Sequence, residues 1–389
     1  MPKGFKSRPS VAARIIHIVS AVVRAPRFRR YVLVYIVLLS LFWGSWTKIA
    51  SPALQELEDL NRALDPKTRD NAGGWFGSNA LPGFNDMVQQ RSMDPSLIPG
   101  NKSMRSTHLN RRRLIVVGDV HGCKDELEKL LDKVSFNREK GDHLIFTGNL
   151  ITKGPHSLEV VHLARKYRAS CVRGSAEDRV LLTRRSLESN NLFRVTRREG
   201  KTNVELSDAD VEDLKIVHGI DKERFLALQL SDADAKWLES CPVILNVGNI
   251  GRLGHTVVVH AGLIPGVSLE RQDPTAVMGM RSIDLDTHIP STSRTGLSWE
   301  KLFNKYQSRL AANRKVASPI ADAHTAAPTT VIYGHDAHPS VSIRKYTMGL
   351  GASCVSGGKL NALIIGDGGS KSVRSVRCYD YMSDTKQFA

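Results

Sequence analysis

Leu114-Ile115-Val116-Val117-Gly118-Asp119-Val120-His121-Gly122 is the stretch on which the reading of this chain turns. Four consecutive apolar residues, mostly β-branched, describe a buried strand. The strand ends in a glycine-bracketed loop that carries an aspartate and a histidine two residues apart. A carboxylate and an imidazole so placed can turn toward one cation that accepts both oxygen and nitrogen ligands, so the loop reads as the start of a metal site.

Moving outward, the unit repeats. A helical pattern over Asp125–Lys133 leads to a second apolar strand, Leu144-Ile145-Phe146, and a tip running from Gly148 through Asn149 and Lys153 to Gly154. A helix over Ser157–Tyr167 then precedes a third strand, Ser170-Cys171-Val172, and the tip Arg173-Gly174-Ser175-Ala176-Glu177-Asp178. Strands alternating with helices imply a parallel sheet with its three tips on one side, where open α/β sheets bind ligands.

With Val257-Val258-Val259-His260-Ala261-Gly262 and Tyr333-Gly334-His335-Asp336, these tips resemble, in order, the five blocks of the calcineurin-like metallophosphoesterase superfamily, which begin GDxHG, GDxxxxG and GNH(E/D). The second tip and Ser356–Leu363 are most similar to the fungal vacuolar endopolyphosphatase-like branch and its bacterial dinucleoside-tetraphosphatase relatives. The resemblance implies an α/β fold, a β-sandwich of two mixed sheets flanked by helices. It also implies a divalent metal centre (zinc, manganese, cobalt or iron) at the positions of Asp119, His121, Asn149, His260 and His335. Lys153 and Arg281 fall where phosphate oxygens are held, a task that suits arginine's planar fork.

The departures from the family pattern fall on its chemistry. Asn149 stands where an aspartate bridges two metals, Ser175 where an asparagine binds the second, and Ala176 where a histidine assists the leaving group. Gly351 replaces an aspartate that helps hold the last histidine. Asp119 and His121 are expected to hold one ion with Asn149 as a weak third ligand, while the second ion, at His260 and His335, binds poorly and overall occupancy is reduced. Asp178, one residue beyond the family's acidic position, is the only candidate to compensate.

The 389 residues carry a formal charge of +16, and the first thirty hold eight Lys or Arg and no acid. Tyr31–Thr47 is a seventeen-residue uncharged run, at the short end of the ~17–25 residues that span a bilayer. It reads as a retained anchor, with a cleaved signal peptide or a buried core helix as the alternatives. The expected organisation is a basic cytosolic tail at 1–30, an anchor at 31–47 and a spacer at 48–110 with a short helix near Leu54–Leu64. A phosphoesterase domain at 111–380 follows, with a helical insert at about 181–240, and then a loose tail at 381–389, within a final twenty residues read as polar and loose. Basic residues remain on the cytosolic side, which places the domain in a lumen, by resemblance the vacuole. There Asn101-Lys102-Ser103 would be a usable glycosylation acceptor.

Other features read as follows. Trp75-Phe76 and Leu81–Phe84 should pack onto the domain, Trp299 should be core, and His338 should be exposed. Arg111-Arg112-Arg113 and the basic run from Arg179 to Lys201 are solvated faces or anion contacts. Helix starts are expected at Ser207 and Ser231, and a last hairpin from Arg344 to Ile365. Five cysteines without paired metal-finger spacing are expected to be free thiols, with no disulfide.

Two functions compete. One is a residual hydrolase of polyphosphate or another phosphorylated anion. The other is a membrane-anchored pseudoenzyme that holds polyphosphate or pairs with an active paralogue. Nucleic acid is not expected as a partner, because the excess charge is concentrated beside a membrane segment.

Overall fold

In the computed structural model, the residues described are 20, 25–65, 87–100, 112–189, 222–316, 327–335 and 341–384. The readings made for Trp75-Phe76, Leu81–Phe84, Asn101–Ser103, Arg111, Arg194–Lys201, Ser207, Asp336 and His338 lie outside them. The chain divides into two units, residues 1–65 and 66–389.

The first unit holds one continuous helix. Pro26, which lacks the backbone N–H that a first turn leaves unpaired, opens α1 (Pro26–Ser45). A π-turn over Trp46–Ala50 joins it to α2 (Ser51–Ala63). The helix is long and apolar enough to cross a bilayer, and its apolar window is unburied. The twenty residues of α1 alone reach ~30 Å.

The second unit begins with β1 (Gln90–Ser92), β2 (Arg113–Val117), α3 (Lys124–Lys133), β3 (Asp142–Phe146), α4 (Ser157–Lys166), β4 (Ser170–Cys171) and α5 (Ser175–Ser189). After the undescribed residues come α6 (Lys222–Gln229), α7 (Asp232–Glu239), β5 (Ile244–Ile250), β6 (Gly254–Val259) and α8 (Pro274–Gly279). Then follow β7 (Ser282–Ile283), β8 (Pro290–Ser291), β9 (Leu297–Ser298), α9 (Trp299–Val316) and β10 (Thr329–Tyr333). The chain closes with β11 (Ser342–Ile343), β12 (Thr347–Gly349), β13 (Lys359–Ile365), β14 (Lys371–Arg377) and α10 (Tyr381–Asp384).

Two mixed sheets form the sandwich, in the orders β14-β13-β2-β3-β4 and β1-β5-β6-β10-β12-β11. As expected from the repeat, β2, β3 and β4 run parallel. Period-two alternation sorts the apolar run of β2 between two cores. Leu114 and Val116 meet Leu245, Val258, Ile332 and Met348 of the facing sheet. Ile115 and Val117 instead face Leu127 and Leu130 of α3 and Val161 of α4. Trp299 is core as expected, edge-on to Phe303 and Tyr333. The serine cap read at Ser231 is also present, its hydroxyl accepting from Asp234 N–H at 3.1 Å.

Several expectations fail. Part of the spacer belongs to the domain, since β1 adds a parallel edge to β5 and Met93 and Ile98 enter the core. The hairpin read from Arg344 to Ile365 is a crossover, with β12 in one sheet and β13 in the other. Of the final twenty residues, those described, 370–384, are not loose, because β14 pairs along its length with β13 and Tyr381 docks its hydroxyl on buried Glu126. Their polarity is that of an edge strand with one solvated side.

The cysteines are not free thiols either. Cys171 is bonded to Cys241 and Cys354 to Cys378, each pair with Cα atoms 5.2 Å apart, and only Cys123 remains a free, buried thiol. Burial in apolar strands had suggested isolated thiols. The partners are 70 and 24 residues apart in sequence, and only the packed sheets bring them within bonding reach.

Candidate metal centre

The three parallel strands deliver their tips to one place. Past β2, Gly118 permits the turn, since a Cβ there would lie 2.8 Å from the Leu350 carbonyl oxygen. The chain then places Asp119 and, at φ 49, His121. Past β3, Asn149, Thr152 and Lys153 also adopt positive φ values of 50, 74 and 61. Such left-handed backbone at non-glycine residues costs of order 1–3 kcal/mol each and clusters where loops are shaped for function.

Asp119, His260 and His335 present ligand atoms within 4.8 Å of one another. His260 follows β6, and its Nδ1 donates to the Thr147 carbonyl at 2.7 Å, leaving Nε2 as a lone pair. That nitrogen faces His335 Nδ1 at 3.2 Å. Asp119 Oδ1 is buried without a hydrogen-bond partner, lodged where Gly334 has no side chain. A buried, unpartnered carboxylate oxygen beside two converging imidazoles is a donor set that fits a divalent cation. The His260–Thr147 bond supplies the outer support that fixes a ligand tautomer.

His121 stands a little apart. Its Nε2 is 3.9 Å from Asp119 Oδ2 and 3.4 Å from Lys153 Nζ, while its Nδ1 faces the Ile151 carbonyl at 3.2 Å. The sequence reading grouped Asp119 with His121 and treated His260 and His335 as the weak pair. The tertiary structure groups Asp119 with the pair and sets an ammonium beside His121.

Asn149 is oriented by chemistry. Its Oδ1 accepts from Ala176 N–H at 2.9 Å, and its Nδ2 donates to Asp119 Oδ2 at 3.2 Å. Flipping the amide would set its NH₂ against the Ala176 N–H, so the oxygen is committed. The expected weak third ligand is therefore turned away, and an N–H points toward the cluster instead. Ser175 is half-buried at the start of α5, and Ala176 is fully buried. Asp178 does not compensate, because it accepts from buried Arg173 at 3.4 Å.

Sequence reasoning missed the role of Glu177. It is fully buried and accepts from the N–H groups of Asn149 and Leu150 at 2.8 Å, Gly174 at 2.9 Å and Ile151 at 3.3 Å. One carboxylate thus ties the second tip to the third. The available signal was an acid in the first turn of the helix directly behind a glycine tip. Four cations surround the cluster. Burial pushes His335 down to about 4, helped by Arg281, Lys153 and Arg294. Burial pushes His121 down to about 3, helped by Lys153 and Arg179. Arg281 follows α8, where it donates to the Thr292 carbonyl at 3.0 Å. Arg179 opens the basic run that sequence read as a solvated face or an anion contact, whereas Arg294 was not singled out.

A model of the calcineurin-like phosphoesterases matches residues 112–358. The chain belongs to the calcineurin-like phosphoesterase family. The chain is 25% identical over 280 residues to a zinc-dependent endopolyphosphatase of Saccharomyces cerevisiae, across 70% of this chain and 81% of that protein. It is 34% identical over 176 residues to a symmetrical bis(5'-nucleosyl)-tetraphosphatase of Pectobacterium carotovorum, across 43% of this chain and 48% of that one, about half the relative's length. A crystal structure assigned as a candidate diadenosine tetraphosphatase superposes with a TM-score of 0.51 at 24% identity, covering 75% of this chain and 99% of that one, and supports the fold.

The electrostatics set a pH dependence. Burial raises the Asp119 carboxyl to about 8, so near neutrality it carries a proton, whereas burial pushes His335 down to about 4 and His260 well below the usual histidine range, so both are neutral. A cation must displace the Asp119 proton and no histidine proton. Zinc affinity should therefore rise about tenfold per pH unit between pH 6 and 7.5 and level off above about 8, with close to one proton released per ion. Calorimetry in buffers of different ionisation enthalpy measures that release, and Asp119→Asn should abolish it.

Proposed function

We propose that this protein is a membrane-anchored member of the family that binds polyphosphate, or a similar phosphorylated anion, at a one-metal centre and hydrolyses it poorly or not at all. The observation that carries the reading is the Asn149 amide, which presents an N–H to Asp119 where a bridging carboxylate oxygen is needed. Asp119, His260 and His335 would hold the ion. A divalent cation there supplies Lewis-acid charge and lowers the pKa of water.

The chain's own residues act around it. Lys153 and Arg281 hold phosphate oxygens, with Arg179 and Arg294 extending the positive field. Fully buried Ala176 carries no proton to a leaving oxygen. The similarity to a zinc-dependent endopolyphosphatase supports the substrate class and favours zinc.

The test is metal content by elemental analysis of the full chain in neutral detergent, with phosphate release from polyphosphate under added zinc, cobalt or manganese. The expected result is one ion per chain, retained polyphosphate binding and turnover close to background. Two ions with metal-dependent turnover would favour the competing reading, an active endopolyphosphatase.

The domain is proposed to be lumenal, with the basic N-terminus cytosolic and the vacuole as the compartment. Two disulfides support an oxidising surrounding. In sealed microsomes the domain should resist added protease and Asn101 should be open to glycosylation. Digestion of the domain without membrane lysis would refute that topology.

A further inference from the structure

At the end of the five-stranded sheet remote from the tips, a cavity of about 600 Å³ opens between the C-terminal end of α3 and the edge strand β14. Its wall carries Arg112, Arg113, Lys133, Lys371 and Arg374 against one carboxylate, Asp367. Arg113 is committed to Asp142 through contacts of 2.8 and 2.6 Å, and Arg112 donates to the Ser96 carbonyl within the field of Asp94. Among the described residues, the other three cations bond only to backbone or to no polar group. Lys133 reaches the Ser375 carbonyl at 2.8 Å and Arg374 the Val373 carbonyl at 3.0 Å. Neither these two nor Lys371 has a carboxylate within salt-bridge distance among the described residues.

Like charges gathered on a concave wall repel one another, and a multivalent anion relieves that repulsion. The shape and chemistry of the wall select among anions. Val134 is buried and Ile364 half-buried, so the cavity lacks the protruding apolar side chains with which a surface enters a bilayer. None of its lining residues is aromatic, so the aromatic platforms on which successive bases stack are missing from the wall. What remains is a bare chain of phosphates.

We infer that this groove is a second, non-catalytic subsite for a linear phosphate chain. The inference rests on the reading of the metal centre as a phosphate-binding site. Arg113 opens β2 and Asp119 lies six residues on, so the two places are roughly 20 Å apart along the strand at ~3.3 Å per residue. Only a long chain engages both. A chain held at the groove raises the local concentration of its remaining phosphates at the metal centre.

The test compares full-length protein in neutral detergent, loaded with zinc, binding long-chain polyphosphate and tripolyphosphate. In the variant K133Q/K371Q/R374Q, long-chain affinity should fall at least tenfold while tripolyphosphate affinity changes less than twofold. The charge-preserving variant K133R/K371R/R374K should bind like wild type, which separates lost charge from lost fold. An unchanged long-chain affinity, an equal loss for both ligands, or an equal loss in the charge-preserving variant each overturns the inference. So does a result in which K133Q/K371Q/R374Q loses binding to anionic phospholipid vesicles but keeps its polyphosphate affinity. Lys153→Ala with Arg281→Ala reports on the other reading: tripolyphosphate binding left intact by that pair refutes the metal-centre assignment, while the groove variant still measures the groove.

Discussion

Asn149→Asp, Ser175→Asn and Ala176→His together should raise polyphosphate hydrolysis by at least ~10²-fold over the unmodified protein, since general acid–base assistance alone contributes ~10²–10⁴-fold and a second bound metal adds to it. The geometry says why each change should act. An aspartate at 149 can keep the bond to Ala176 N–H with one oxygen and present the other where an N–H now meets Asp119. An asparagine at half-buried 175 regains a ligand oxygen at the opening of α5. Histidine at 176 restores a proton donor but enters a fully buried position, where added volume forces neighbours aside at ~1–3 kcal/mol. The double variant Asn149→Asp with Ser175→Asn is therefore measured beside the triple one. Two ions in the double variant without turnover in the triple one would locate the obstacle at 176. Fewer than two ions in both would mean that the metal scaffold itself has changed.

Glu177→Gln should be the most damaging single change to the fold among those at the site. Hydrogen bonds to a charged group contribute ~1.5–3 kcal/mol each, and this carboxylate accepts from four backbone N–H groups. Glutamine keeps one acceptor oxygen and turns an NH₂ toward the remaining donors, so a loss of ~3 kcal/mol or more is expected. For a unit spanning residues 66–389 that is a fall of roughly 4–5 °C in melting temperature. Zinc affinity should fall as well, because the tip bearing Asn149 is held to the third tip through this residue. Denaturant unfolding of the full chain, with and without zinc, gives both numbers, and a loss below 1 kcal/mol would show that the tips are fixed by other contacts.

Much of the architecture was legible locally. The β-branched run at Leu114–Val117, the period of the helices behind it and the glycine at each tip are short-range signals, and they place Asp119, Asn149 and Ser175 at three neighbouring strand ends. The capping serine at 231 and the core role of Trp299 were legible for the same reason. Where the reading failed, the missing quantity was a long-range contact. Residues 371–377 read as a loose polar stretch because an edge strand has only one side to bury, and its pairing with β13 is not written in its own composition. The cysteine pairs failed likewise, because apolar neighbours signal burial and say nothing about which other thiol is buried alongside.

By itself the sequence determined the family and the order of the blocks, and it set Asn149, Ser175 and Ala176 at their tips, since these depend on residue identity at short spacing. Tertiary structure alone decided which candidate ligand atoms come together. Asp119 belongs with His260 and His335 because β2 and β6 end at one place from opposite sheets, and His121 is set beside Lys153 by the turn of the second tip. It also decided that Asn149 offers an N–H rather than an oxygen. An amide reads the same in any sequence, and its direction is fixed only by the donor that faces it, here the backbone N–H of Ala176.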